Sequence, residues 1–374
     1  MKTIPFRVGI QQRVLPNYRV NFFDMLAAAC PKGLSVFAGT PRKQEAIESA
    51  VALQVAQSAH AHNIHLFNGK FYFCFQTGFT RWLETWQPDV LIVEANPRYL
   101  STRAGINWMK KRNRPVIGWG LGAPEIEGGF SSHRKTARTN LLKSMNAVLT
   151  YSKQGATEYQ QLGIPRQKIF VAPNAVAPKP QKPPINRPPL FKDGKPIILY
   201  IGRLQARKRI DLLIHACASL PSEIQPLLWI VGDGPAKEEL ESFATQLFPS
   251  TLFWGSKHGE DLQPLLDQAD IFVLPGTGGL AIQQAMANAL PVIVAEGDGT
   301  QSELVHPENG WVLPPDDLPA LIFTLDTALR DPQHLREMGL ASYKIVAEQV
   351  NLEQMVSAFE RAIQFAGKDI KQEI

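Results

Sequence analysis

Hydrophobic residues in this chain fall into short unbroken runs, with helically spaced stretches between them. The runs predict strands at 6–10, 34–38, 90–94, 116–119, 147–151 and 169–172 in the first half. They predict further strands at 197–201, 227–231, 252–254, 271–274 and 292–295 in the second. A strand with one wet face alternates apolar and polar residues; a continuous apolar run suits a parallel strand covered on both faces. Strands alternating with helices give a doubly wound α/β sheet. Near the end, Leu352, Met355, Ala358, Phe359 and Ile363 keep helical spacing behind Asn351, a candidate N-cap, so a closing helix is expected.

The two runs of elements are separated by Pro178 to Pro189, PKPQKPPINRPP, which is too proline-rich for a helix or a central strand. It reads as an extended interdomain linker or a long surface loop. We expect a first Rossmann-like domain at 1–177, a linker at 178–195, a second Rossmann-like domain at 196–350 and the closing helix at 351–374. The length of 374 residues fits two domains. Two such domains are expected to face one another across a cleft, because ligands of open α/β sheets bind at the carboxyl ends of the strands.

Composition adds one contrast. Hydrophobic content of 44% and charged content of 20% are ordinary for a globular protein, and no apolar run reaches membrane-spanning length. The opening residues read as a first strand and not as a secretion signal. Cys30, Cys74 and Cys217 are few and far apart, which suits core residues in a reducing cytoplasm better than a disulfide or zinc framework. The net charge of +5 conceals +13 over residues 1–177 and −8 over the remainder. A basic half suggests an anionic partner: a membrane surface, a phosphorylated lipid or nucleic acid. No nucleic-acid motif accompanies it, so nucleic acid is not expected. A cytoplasmic protein, peripheral at the inner face of the membrane, is the corresponding location.

Three segments of the second half carry candidate chemistry. In the first, a strand ends at Gly202 and delivers Arg203 and, five residues on, Lys208. A guanidinium fork with an ammonium point charge suits a diphosphate, and a solvated basic loop is the alternative. In the second, Gly232-Asp233-Gly234-Pro235 forms a turn that lets backbone approach a ligand, or simply joins a strand to a helix. In the third, Pro275 to Ala287 is a glycine-containing loop opening a helix, whose N–H groups and dipole can meet an anion. Here the alternative is a tight turn closed by glycines.

The order of the three segments resembles the nucleotide-sugar half of GT-B glycosyltransferases, in particular retaining family 4. The resemblance is carried by Gly202, Arg203, Leu204 and Lys208, by Gly232 to Pro235, and by Pro275, Gly279, Leu280, Ala285, Met286 and Ala287. It continues through Pro291 to Ile293, Glu303 to Val305, Asn309 and Gly310, with Pro173-Asn174-Ala175-Val176 before the linker. It implies that Arg203 and Lys208 are catalytic, holding the donor diphosphate and stabilising it as it leaves. It implies substrate contacts from Gly202, Asp233, Gly278, Gly279, Leu280, Gln284 and Glu303. The donor is then a UDP- or GDP-sugar, the acceptor a glycan or a lipid-linked glycan, and neither a metal nor a cofactor is needed. Two glutamates of the family pattern are missing: Gln284 stands at the ribose-binding position and Gly276 at the sugar-binding one. A degenerate protein that binds a nucleotide-sugar without transferring it therefore stays open.

The first half has no comparably sharp motif. Gly118 to Ala123 fits a dinucleotide fingerprint superficially, but no acidic residue follows at the distance a ribose partner requires. Glu125 and Glu127 could touch substrate hydroxyls or be solvated. Arg13, Asn17, Tyr18 and Arg19 could serve an acceptor or pack a helix. Residues 99–114 read as a basic amphipathic helix, with Ile106, Trp108 and Met109 beside Arg103, Lys110, Lys111, Arg112 and Arg114; it could lie on an anionic membrane or be an ordinary crossover helix.

Overall fold

The structure, a computed structural model, describes residues 3–42, 45, 47, 49–50, 52–124, 131–297 and 301–368. It divides into two compact units, Met1–Val176 with Leu352–Ile374, and Ala177–Asn351.

Among the described residues the first unit has nine strands: β1 (Val8–Val14), β2 (Leu34–Gly39), β3 (Gln57–His60), β4 (His62–Leu66), β5 (Phe73–Thr77), β6 (Val90–Glu94), β7 (Val116–Gly120), β8 (Ala147–Thr150) and β9 (Ile169–Val171). Seven of them form a parallel sheet in the order β3-β2-β1-β6-β7-β8-β9. Its centre, β1 and β6, pairs Val8 with Val90 and Ile10 with Ile92, all four fully buried. The antiparallel pair β4–β5 lacks an apolar run and was not legible in the sequence. Its residues alternate in exposure along β4, as expected for a ribbon with one wet face.

Among the described residues six helices cover this sheet: α1 (Val20–Ala28), α2 (Phe79–Trp86), α3 (Ser101–Lys110), α4 (Ser131–Lys143), α5 (Lys153–Gln161) and, from the far end of the chain, α13 (Leu352–Gly367). The last buries Leu352, Met355, Phe359 and Ile363 against the first unit's core. Phe359 meets Phe22 and Trp119 edge-on, each at 4.8 Å between ring centroids. The Asn351 amide donates to the Val346 and Ala347 carbonyls, so it also closes the preceding helix.

The second unit is a six-stranded parallel sheet of β10 (Ile197–Ile201), β11 (Leu227–Val231), β12 (Thr251–Phe253), β13 (Ile271–Leu274), β14 (Val292–Ala295) and β15 (Gly310–Leu313). The order is β12-β11-β10-β13-β14-β15. Its helices are α6 (Ile210–Ala218), α7 (Lys237–Leu247), α8 (Gln263–Gln268), α9 (Leu280–Ala287), α10 (Gln301–Leu304), α11 (Leu318–Leu329) and α12 (Pro332–Glu348). β15 was not predicted; its apolar run is short, Trp311 to Leu313, and all three residues are only partly buried.

The proline-rich segment is not a free linker along its whole length. Arg187 donates to the carbonyls of Leu266, Ala269, Asn288 and Ala289 at 2.7–3.0 Å. Arg336 Nε donates to the Pro188 carbonyl at 2.8 Å while its Nη2 pairs with the buried carboxylate of Asp270 at 2.6 Å. The segment is thus a strap fastened to the second unit.

Helix α3 also differs from its reading. Ile106, Trp108 and Met109 are buried in the core of the first unit, and the Arg112 guanidinium lies 3.8 Å from the Trp108 ring centre. Its apolar face is used internally and is not presented to a membrane. All three cysteines are buried free thiols.

Candidate functional site

In the second unit the three candidate segments meet at the carboxyl ends of neighbouring strands β10, β11 and β13. Gly202 N donates to the Val231 carbonyl, Leu204 N to the Asp233 carbonyl and Ala236 N to the Leu204 carbonyl, at 2.9–3.1 Å. The Gly-Asp-Gly turn is thereby laid on the loop that carries Arg203. Gly232 has φ +143, and a Cβ there would lie 1.9 Å from the Gly202 carbonyl oxygen. Only glycine permits this approach. Asp233 is itself exposed, and its carboxylate takes the Gly234 N–H at 2.6 Å.

The loop 275–279 sits on the segment after Arg203. Thr277 N donates to the Arg207 carbonyl and Arg207 Nη1 to Thr277 Oγ1, both at 3.1 Å. Lys208 Nζ donates to the Thr277 carbonyl. Gly278 then touches the ammonium: a Cβ there would stand 2.1 Å from Lys208 Nζ. The structure thus brings Lys208 together with Gly278, with Gly279 and Leu280 following as the cap and first residue of α9. Arg203 is exposed on the preceding loop. Gln284 is half-exposed on α9, and Glu303 is half-buried on α10. Sequence reasoning missed Gln301, which is buried and donates from Nε2 to the Gly278 carbonyl at 2.8 Å. A lone glutamine carries no sequence signal for such a latch.

A pocket of about 930 Å³ lies wholly within the first unit. Glu94, at the end of β6, lines it with Tyr99, Trp119 and Tyr151. Glu94 accepts the Arg13 backbone N–H at 2.7 Å. Burial raises its carboxyl from an ordinary 4.5 to about 7, against the opposing pull of Arg13. A carboxyl raised on folding binds more protons in the folded chain than in the unfolded one. Its stabilising contribution is full below about pH 4.5 and is lost as pH rises through about 7. Glu94→Gln, which does not titrate, should therefore gain on the parent by roughly 2 kcal/mol between pH 5 and pH 8. Thermal melts of both proteins across that range check this; parallel curves would show that Glu94 is already ionised at pH 5.

Among the other candidates of the first half, Arg13 and Arg19 are held by structural contacts. The Arg13 guanidinium pairs with Glu45 at 2.8 Å. Arg19 is buried, donates to the Ala175 carbonyl and to Asn174, and lies over the Trp119 and Tyr151 rings. It packs α1 instead of facing a ligand, whereas Asn17 and Tyr18 are exposed. Gly118 and Gly120 are pressed against Met145 and Tyr159, so they serve packing in place of a dinucleotide turn. Glu125 and Glu127 lie outside the described residues. Among the described residues no group of three or more His, Cys, Asp or Glu side chains could hold a metal ion. No described helix is long and apolar enough to cross a membrane.

Residues 181–345 match the family model for glycosyl transferases group 1. The chain is 29% identical over 154 residues to the sulfoquinovosyl transferase SQD2 of Arabidopsis thaliana, covering 40% of this chain and 29% of that one. It is 34% identical over 125 residues to a GDP-mannose-dependent alpha-mannosyltransferase of Mycobacterium tuberculosis, covering 33% and 31%. These matches span about a third of the curated relatives' length. The whole fold is similar to that of Anabaena HepE, solved in complex with UDP, with a TM-score of 0.68 and 17% identity over 97% of this chain and all of that one. Residues 181–345 thus form a glycosyl transferase group 1 domain, in a chain with the GT-B fold.

Proposed function

We propose that this protein transfers a sugar from a nucleotide diphosphate-sugar to an acceptor hydroxyl, with retention and without a metal. The observation that carries the reading is the clasp of Lys208, five residues after Arg203, onto the loop 275–279 at the start of α9, inside the segment that matches the group 1 model. As the bond between the sugar's anomeric carbon and the phosphate oxygen breaks, negative charge grows on the leaving diphosphate. Arg203 and Lys208 stabilise it there, and the N–H groups of Gly278, Gly279 and Leu280 face the same charge. The acceptor oxygen takes the anomeric carbon on the face the phosphate leaves, and its proton passes to the departing phosphate oxygen. Gly202 and Asp233 border the donor. Gln284 accepts a ribose hydroxyl through its amide oxygen, and Glu303 braces or contacts the sugar. The acceptor is a glycan or lipid-linked glycan bound by the basic first unit, which also draws the protein to an anionic membrane surface at the cytoplasmic face.

Calorimetry with UDP, GDP and their sugars, followed by turnover assays, tests the reading. We expect one nucleotide to bind and its sugar to be transferred or slowly hydrolysed. Gln284→Glu should keep or raise donor affinity, and a large loss would displace the ribose from this helix. A second reading, donor binding without transfer, is favoured by Gln284 and Gly276 standing where glutamates are expected. Binding with no turnover or hydrolysis across an acceptor panel would establish it.

A further inference from the structure

We infer that the pocket of the first unit receives an acceptor that carries a phosphate group beside an apolar stretch. Its role as the acceptor pocket rests on the glycosyl-transfer reading; its ligand chemistry does not.

The charged part of the lining is mostly cationic. Arg98, Arg103, Arg134 and Arg138 all line the pocket, and among the described residues none of them is in an ion pair. Arg138 donates from Nη1 to the Pro124 carbonyl at 2.8 Å. Its guanidinium titrates below its usual range, through burial first and also through repulsion from Arg134 and Arg98. The acid beside it is already engaged: Glu158 takes the Ala123 N–H at 2.6 Å and the Gln154 amide at 3.2 Å. Glu94, the carboxyl that lines the same pocket, accepts the Arg13 backbone N–H, so four guanidinium groups share the lining with one carboxyl among the described residues. A doubly charged phosphate relieves the repulsion among them more completely than a single carboxylate. The net +13 of residues 1–177 draws anions towards this unit.

Part of the lining is apolar and exposed. Phe71, Leu121 and Leu100 line the same pocket while 68%, 60% and 40% exposed. Large apolar side chains that line a pocket and stay exposed suit a ligand with an apolar part. Phosphate-binding forks and exposed apolar residues in one pocket fit a ligand in which the two chemistries are adjacent, as in a lipid phosphate. Free inorganic phosphate would use only the arginines.

Calorimetry on the full chain with three probes tests this: decyl phosphate below its micellar concentration, decyl glucoside and inorganic phosphate. Decyl phosphate should bind at least tenfold more tightly than either of the others. The double variant Arg134→Gln/Arg138→Gln should lose at least tenfold of that affinity, keep its affinity for UDP, and melt no lower than the parent because repulsion is removed. Arg103→Gln, at an exposed position, supplies a variant whose folding is not at stake and should lose about threefold. Leu121→Ser should weaken decyl phosphate and leave inorganic phosphate unchanged. Equal binding of decyl phosphate and decyl glucoside, or no loss in either arginine variant, overturns the inference. Inorganic phosphate binding as tightly as decyl phosphate overturns its apolar half. If decyl phosphate behaves as expected while no nucleotide binds, the donor reading fails and the pocket stands. If a nucleotide-sugar is turned over while the decyl probes are not distinguished, the pocket inference fails alone.

Discussion

The double variant Arg203→Gln/Lys208→Gln should transfer sugar roughly 10⁴-fold more slowly than the parent, with its fold intact. Removing one preorganised donor from a developing oxyanion costs on the order of 10²–10³ in rate. Two donors on one diphosphate act as a unit, so the combined loss falls short of the product of the single effects. The fold should survive because Arg203 is exposed. The glycine loop also keeps ties that do not use the Lys208 ammonium, among them Thr277 N to the Arg207 carbonyl, Arg207 Nη1 to Thr277 Oγ1 and Gln301 to the Gly278 carbonyl. Steady-state rates with the donor found by calorimetry, beside circular dichroism of the variant, check this. A loss below tenfold would place the leaving diphosphate elsewhere and remove the main support for the proposed chemistry.

The largest stability effect is expected at Arg187→Met. One guanidinium serves four backbone carbonyls, and methionine fills similar space while donating nothing. A carbonyl deprived of its donor costs about 1–3 kcal/mol when buried and less where water reaches it. Because Arg187 is only partly buried, the total should be roughly 3–5 kcal/mol. For a unit of this size that lowers the melting temperature by roughly 10 °C. Scanning calorimetry with and without donor measures it, and donor should restore part of the loss because it binds only the folded unit. An unchanged melt would mean that the strap is replaceable by water at no cost.

Much of the fold was legible because its signals are local. Parallel strands covered on both faces must be apolar throughout, so runs such as Ile197–Ile201 and Val90–Glu94 announce themselves. The β4–β5 pair, with one wet face and histidines along it, did not. The proposed donor site was also legible, because each of its parts is a contiguous turn after a strand: Gly202 to Lys208, Gly232 to Pro235 and Pro275 to Gln284.

What the chain by itself determined, then, is the alternation of buried strands and helices, the charge contrast between its halves and the three glycine-bearing turns. Each depends on residues within a few positions of one another, where steric and burial requirements act directly on sequence. Tertiary structure alone decided the rest. It returned α13 to the first unit, tied the proline segment to the second through Arg187, turned the α3 tryptophan inward and latched the glycine loop with Gln301. It also gathered Glu94, Arg98, Trp119, Arg138 and Tyr151 around one pocket from separate strands, helices and loops. These arrangements follow from packing between residues distant in sequence, and no local pattern records which distant partner a side chain will meet.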